Sequence, residues 1–367
     1  MPHLAILVSY SGAGGVERVI NLLAGELAQK VRVDLLTIKQ QGPHVDGIPR
    51  NVRLIPLTAR HAWTASSEIA AYLSSERPDV LLVAKDRAGR AALRAQRRVD
   101  SPSRLWLQIH TNMTQSLAGS GRISRAWRLA AMRRIYPLAD GIVAVSRGVR
   151  DDLIRECRLQ PERVHVIHNP AIPRDIEQLA QAPVPHPWLA DPERPVIIGM
   201  GRLTEQKDFR TLLAGFARLP SPVRLILLGD GEQRAALQRL ADELGVAERV
   251  LFAGFRKNPY AWLARARLFV LSSRWEGFGN VLAEALALGV PCVSTDCPSG
   301  PSEILDGGRF GELVPVADVE RLAIAMQETL TRPVDAERLR SAASDFRVEV
   351  SAARYLALLG LASSTSA

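Results

Sequence analysis

Residues 196–209 read Val196-Ile-Ile-Gly-Met-Gly-Arg202-Leu-Thr-Glu-Gln-Lys207-Asp-Phe209. A short apolar run ending in glycine is the pattern of a buried strand. Two cations follow, and then Phe209, Leu212, Leu213 and Phe216 recur at the spacing of one helix face. The alternation continues through apolar runs at 223–228, 250–252, 268–271 and 291–294. An earlier series occupies 4–8, 31–38, 80–84, 105–109, 141–145 and 164–167. Within 16–28, Val16, Val19, Ile20, Leu23 and Leu27 keep helical spacing. Strands alternating with helices predict βαβ units and parallel sheets.

Between the two series lie seven of the 23 prolines, all within residues 170–195. Proline fixes φ and removes a donor, so 171–195 reads as an extended linker. The expected fold is α/β, with two Rossmann-like doubly wound domains at 1–170 and 196–344. Ligands are expected at the carboxyl ends of the strands, with the active site in a cleft between the domains.

A chain of 367 residues is longer than one hydrophobic core usually serves. Its 47% hydrophobic and 23% charged residues are ordinary for a globular protein and exclude disorder, collagen and a disulfide scaffold. No apolar run reaches the roughly 18 residues of a membrane span. The first residues lack a basic region and a long apolar stretch, so a cytoplasmic protein is expected. Cys157, Cys292 and Cys297 have no histidine at zinc-ligand spacing and read as reduced structural thiols.

The net charge of +9 is concentrated. Residues 85–134 hold twelve Lys or Arg and two Asp, while the rest of the chain is nearly neutral. Arg87, Arg90, Arg94, Arg97 and Arg98 share one helical face, and Ala88, Ala92, Ala95 and Val99 another. Such a helix suits an anionic membrane surface, although a merely solvated face fits the same pattern. Nucleic acid is not expected, because aromatic interleaving and recognition motifs are lacking.

The residues suited to chemistry follow the strands. Gly12-Ala-Gly14-Gly15 opens a helix, where backbone N–H groups can approach an anion; a tight turn explains the same glycines. The last glycine of GxGxxG is replaced by Glu17, so a dinucleotide reading is weak. Arg202 and Lys207 suit a diphosphate, with neutralisation by Glu205 and Asp208 as the bland alternative. Glu276 precedes a helix and Glu284 lies inside it among apolar residues, where a carboxylate needs a donor such as a sugar hydroxyl. Eight helical positions would separate the two by roughly 12 Å. The helix start at Gly279-Asn280-Val281 offers free N–H groups to phosphate. Phe255 and Arg256, after another strand, are candidate neighbours of the base, and His110 ends a strand of the first domain. No Asp-x-Asp occurs, so no metal is expected and the charge on a diphosphate must be met by Arg202, Lys207 and helix N-termini.

GGVER at 14–18, GRLTEQK at 201–207, Gly229-Asp-Gly-Glu and the Glu-x7-Glu of 276–284 together resemble retaining nucleotide-sugar glycosyltransferases of family four, from residue 4 to about 359. The resemblance implies the GT-B fold. It implies that Arg202 and Lys207 hold the donor diphosphate, that Glu276 contacts the donor sugar and Glu284 the ribose. Gly277, Phe278, Gly279, Asn280, Val281 and Leu282 would complete the donor loop. Gly12, Gly14, Gly15 and His110 would lie by the acceptor and the reacting centre, Gly14 and Gly15 also near the donor. The final helix, from about 345, is expected to cross back to the first domain. Gly300-Pro-Ser-Glu-Ile-Leu305 is similar to members that build bacterial surface and lipid-linked glycans.

The expected activity is retaining transfer of a hexose or N-acetylhexosamine from a UDP-sugar to a glycan or polyprenyl-diphosphate-linked acceptor. The protein would work peripherally on the inner membrane face. A sugar-nucleotide epimerase on the same fold, or a non-enzymatic membrane-surface adaptor, remains as the alternative.

Overall fold

The computed structural model describes every residue except 12, 13, 60, 62, 63, 185, 192 and 363–367, and every side chain of the rest except those of 11, 86 and 87. The chain divides into two units, Met1–Pro170 with Val348–Ala367, and Ala171–Arg347.

Unit 1 is built on seven parallel strands: β1 (His3–Ser11), β2 (Arg32–Gln41), β3 (Arg53–Pro56), β4 (Val80–Ala84), β5 (Arg104–Ile109), β6 (Gly141–Ala144) and β7 (Val164–Val166). Their order is 3-2-1-4-5-6-7. The connecting helices are α1 (Gly15–Leu27), α2 (Ser66–Glu76), α3 (Asp86–Val99), α4 (Met113–Ser116), α5 (Arg122–Ile135) and α6 (Arg147–Cys157). Right-handed crossovers place α2, α3, α5 and α6 on one face of the sheet and α1 on the other.

Unit 2 repeats the plan with β8 (Val196–Met200), β9 (Arg224–Leu228), β10 (Val250–Gly254), β11 (Leu268–Leu271), β12 (Cys292–Thr295) and β13 (Glu312–Val314), ordered 10-9-8-11-12-13. Its helices are α7 (Ile176–Ala180), α8 (Phe209–Phe216), α9 (Arg234–Glu243), α10 (Tyr260–Leu263), α11 (Asn280–Ala287), α12 (Pro301–Ile304), α13 (Val319–Thr331) and α14 (Ala336–Ala342). Phe209, Leu212, Leu213 and Phe216 all pack into its core, as their spacing predicts.

The last helix, α15 (Val348–Leu358), lies against α1. Ala352, Tyr355, Leu356 and Leu359 enter the core formed by β1, α1 and β2. The Tyr355 hydroxyl accepts a 2.7 Å hydrogen bond from Gln108 Nε2 inside that core, so this helix is tied by a satisfied polar contact as well as by apolar burial.

The proline-rich segment departs from the expected extended linker. Residues 171–195 are part of unit 2. Ile176 of α7 is fully buried, Asn258 Nδ2 donates to Leu179 O at 2.8 Å and Arg265 Nη1 to Ala180 O at 3.0 Å. Arg347 Nη2 pairs with Glu177 Oε1 at 2.6 Å. Proline is also favoured in the first turn of a helix, where its missing N–H costs nothing, and Pro187 opens the 3-10 turn Pro187–Leu189 in this way. The strands β3 and β13 have no counterpart among the apolar runs. Both are short sheet-edge strands; β3 carries Arg53 and ends in Pro56, a composition suited to an edge and illegible as periodicity.

Candidate functional site

In a doubly wound sheet the crevice for ligands opens outside the carboxyl ends of the strands where the order reverses. In unit 2 that point lies between β8 and β11. The loop after β8 carries Arg202 and Lys207, and the loop after β11 carries Ser273 and Glu276. Lys207 Nζ lies 2.5 Å from Glu276 Oε1, and Ser273 Oγ donates to the same oxygen at 2.6 Å. The two side chains are only 14% and 8% exposed, so the pair is a semi-buried ion pair with one added donor.

The two loops are stitched together. Arg274 N donates to Gln206 O at 2.8 Å, Gln206 Nε2 to Trp275 O at 2.9 Å, and Ser272 Oγ to Lys207 O at 2.8 Å. Asp208 does not neutralise Lys207. It caps α8 through Thr211, whose hydroxyl lies at 2.9 Å, and takes Arg274 Nε at 3.1 Å. Arg202 is exposed and makes no side-chain hydrogen bond or ion pair with a described residue.

Glu276 sits in the loop and α11 begins at Asn280, so only the last four of the eight steps to Glu284 are helical, a rise of about 6 Å. Glu284 is 1% exposed. Phe278 and Leu282 face the core, Phe278 against the Phe346 ring at 5.3 Å, so these positions offer a ligand only their backbone. The same is true of Gly277 and Gly279, while Val281 is half-buried in the first turn. A Cβ on Gly300 would overlap the Phe278 carbonyl, which fixes how the 298–301 turn backs this loop. Phe255 and Arg256 lie beyond β10, two strands from the switch point; Phe255 is exposed and Arg256 stands 5.1 Å over the Trp262 ring.

Burial pushes the Cys297 thiol up, with the Glu276 charge adding to it, and burial does the same to Cys292. All three cysteines are buried and unbridged. Among the described residues no group of three or more His, Cys, Asp or Glu gathers at metal-binding distance.

In unit 1 the reversal lies between β1 and β4. Gly14 is the N-cap of α1 in ordinary extended backbone, so no special turn demands glycine there; a Cβ would instead come 2.9 Å from Glu17 Oε2. Gly15 starts the helix, and Gly12 lies outside the described residues. Lys85, directly after β4, reaches Glu17 Oε1 and Ser9 O, each at 2.7 Å. Lys85 stands one residue past the apolar run 80–84, so its place at a strand end is visible in the sequence while its partner Glu17 is not.

His110 follows β5, and both its ring nitrogens are buried without a hydrogen-bond partner among the described residues. Burial, and then the Lys85 charge, lower its pKa to about 3, so the ring is neutral at pH 7. The unfolded chain binds a proton here from about pH 6.5 downward and the folded one does not, so this group removes stability as pH falls from about 6.5 towards 3. Urea unfolding at about pH 7 and pH 4.5 should therefore show a larger acid loss for the wild type than for His110→Gln. Equal losses would contradict a buried neutral ring.

On α3, Arg94, Arg97 and Arg98 are exposed, whereas Arg90 is half-buried; the Arg87 side chain lies outside the described residues. Ala88, Ala92 and Ala95 are buried on the opposite side, with Val99 half-buried. No helix among the described residues is long and apolar enough to cross a membrane.

Residues 13–173 match the family model described as Glycosyltransferase Family 4, and residues 194–332 that of Glycosyl transferases group 1. The chain is 28% identical, over 93% of both sequences, to the N-acetylgalactosamine-N,N'-diacetylbacillosaminyl-diphospho-undecaprenol 4-alpha-N-acetylgalactosaminyltransferase of Campylobacter jejuni. Among solved structures it resembles the apo form of the lipopolysaccharide outer core galactosyltransferase WaaB, with a TM-score of 0.75 and 19% identity over 98% of this chain and 99% of that one. Anabaena HepE, solved in complex with UDP and glucose, gives a TM-score of 0.78 at 19% identity over 98% of this chain and 100% of that one.

Proposed function

The chain belongs to glycosyltransferase family 4 with the GT-B fold, and from this we propose that it transfers a hexose or N-acetylhexosamine from a UDP-sugar, with retention, to a glycan or polyprenyl-diphosphate-linked acceptor of bacterial surface glycan synthesis. The observation that carries the proposal is the Lys207 ammonium held at the switch point of unit 2 by Glu276, whose oxygen also accepts from Ser273, with Arg202 exposed in the same loop. Breaking a glycosyl–phosphate bond leaves negative charge on the departing diphosphate, and preorganised cations and helix N-termini stabilise it. Arg202, Lys207 and the N-terminus of α11 are assigned to that charge, Glu276 to a sugar hydroxyl and Glu284 to the ribose.

The acceptor hydroxyl oxygen forms its bond to the anomeric carbon on the face from which the diphosphate oxygen leaves. Its proton passes to the departing phosphate oxygen, so configuration is retained without an enzyme carboxylate as nucleophile. His110, neutral, is assigned to the acceptor side of the reacting centre. The functions of the Campylobacter enzyme and of WaaB support a lipid-linked or lipopolysaccharide acceptor, and the UDP in HepE supports the base. The exposed arginines of α3 support work at an anionic membrane surface.

Release of UDP from a panel of nucleotide sugars, with the product anomer read by NMR, tests the reading. Inverted product, or no turnover with any UDP-sugar, would overturn it. Because protein cations are assigned to the diphosphate, activity should survive EDTA unchanged; a strict metal requirement would refute that assignment.

A further inference from the structure

Helix α5 carries an outward face of the wrong chemistry for water. Its inner side is held by unit 1: Leu129 and Met132 are buried, Arg133 Nε donates to Glu156 O at 2.9 Å, and Arg125 lies 3.9 Å from Glu156. On the opposite side, at 100° per residue, Ile123, Trp127, Ala130 and Arg134 fall within about 60° of one another. Ile123 is 77% exposed and Trp127 74%. Solvent-facing positions of a surface helix are ordinarily polar, and here an exposed line of the helix holds Ile123 and Trp127.

The charges around that line all have one sign. Arg134 lies in the line, Arg122 and Arg128 are exposed on the two sides of the helix, about 80° and 100° from the line's edges, and α5 contains no Asp or Glu. Right-handed crossovers put α3, with exposed Arg94, Arg97 and Arg98, on the same face of the sheet.

We infer that α5 is an interfacial helix that seats Ile123 and Trp127 in the headgroup–acyl boundary of an anionic lipid bilayer, with Arg122, Arg128 and Arg134 against lipid phosphates. Trp has an apolar body and a polar N–H, which suits that boundary. A basic face around a Trp-containing apolar line is the composition of helices that lie in a membrane plane. A second copy of this chain is the poorer occupant, because a two-fold contact would bring like-charged arginines against one another. The anchor is independent of the donor and acceptor assignments and adds an apolar grip to the arginines of α3.

Flotation of the full-length protein tests this, with phosphatidylethanolamine vesicles containing about one third phosphatidylglycerol against pure phosphatidylcholine. The wild type should float with the anionic vesicles. Ile123→Ser/Trp127→Ser should lower the bound fraction about tenfold at an unchanged thermal midpoint, since both side chains are exposed. Arg128→Glu/Arg134→Glu should weaken binding and its salt dependence, and Ile123→Trp should strengthen binding. Transfer to a water-soluble acceptor should be unaffected, which separates failure of the anchor from failure of the catalytic reading. Unchanged flotation of the Ser double variant would overturn the inference. So would a wild-type dimer, seen by sedimentation, that the Ser variant breaks while the wild type ignores vesicles.

Discussion

Lys207→Met is expected to lower turnover by about 10²- to 10³-fold, the usual effect of removing one preorganised donor from a site where charge develops. It should also destabilise unit 2. Glu276 is 8% exposed, and without Lys207 it keeps the Ser273 hydroxyl as a side-chain partner. Removing one member of a buried pair typically costs about 3–5 kcal/mol, because a charge is left unpaired; partial exposure here places the loss at or below the lower end. The two effects are separable by a double-mutant cycle. Lys207→Met/Glu276→Gln removes the orphaned charge and should regain much of the lost stability in urea unfolding, with no recovery of turnover. Recovery of turnover along with stability would mean that Lys207 acts only by holding the fold.

Gly300→Ala is expected to be severely damaging for a change of a single methyl group. Gly300 has φ of +95°, where an L-residue is strained, and its added Cβ would overlap the Phe278 carbonyl oxygen. Strain and overpacking together cost roughly 3 kcal/mol or more. The backbone that must yield is the 277–280 loop between Glu276 and α11, so affinity for UDP should fall with stability. Gly307→Ala is the control: φ is +62° but a Cβ there meets nothing within 4 Å, so backbone strain alone remains, about 1 kcal/mol. Urea midpoints and UDP titration measure both variants. If the two behave alike, the contact with Phe278 does not shape the loop.

The core of the fold was legible because burial imposes local periods. The apolar run at 196–200 and the 3-4-7 face of α8 are each visible within a dozen residues. The positions of Lys207, Glu276 and Glu284 relative to strands and helices could be read in the same way. What was missed has a common character. The strands β3 and β13 are edges, and an edge has little burial to impose a pattern. Residues 171–195 read as a linker from their prolines, yet α7 is docked by Asn258 and Arg265, partners some 80 positions away. Lys85 looked like one more base in a basic segment, and only the meeting of β4 with β1 sets it against Glu17.

By itself the amino-acid order determined that there are two alternating α/β series, about where the buried central strands lie, and which cations and carboxylates follow them. Tertiary structure alone decided which of those charges meet: Lys207 with Glu276 rather than Asp208, and Lys85 with Glu17. It also decided that the apolar line of α5 faces outward, while Leu129 and Met132 are buried and Arg133 is held by Glu156 of α6. Periodic burial is a short-range property, written within one or two turns of chain. The pairing of charges and the choice of which helix face meets a neighbour are settled by which distant segments the sheet order brings side by side.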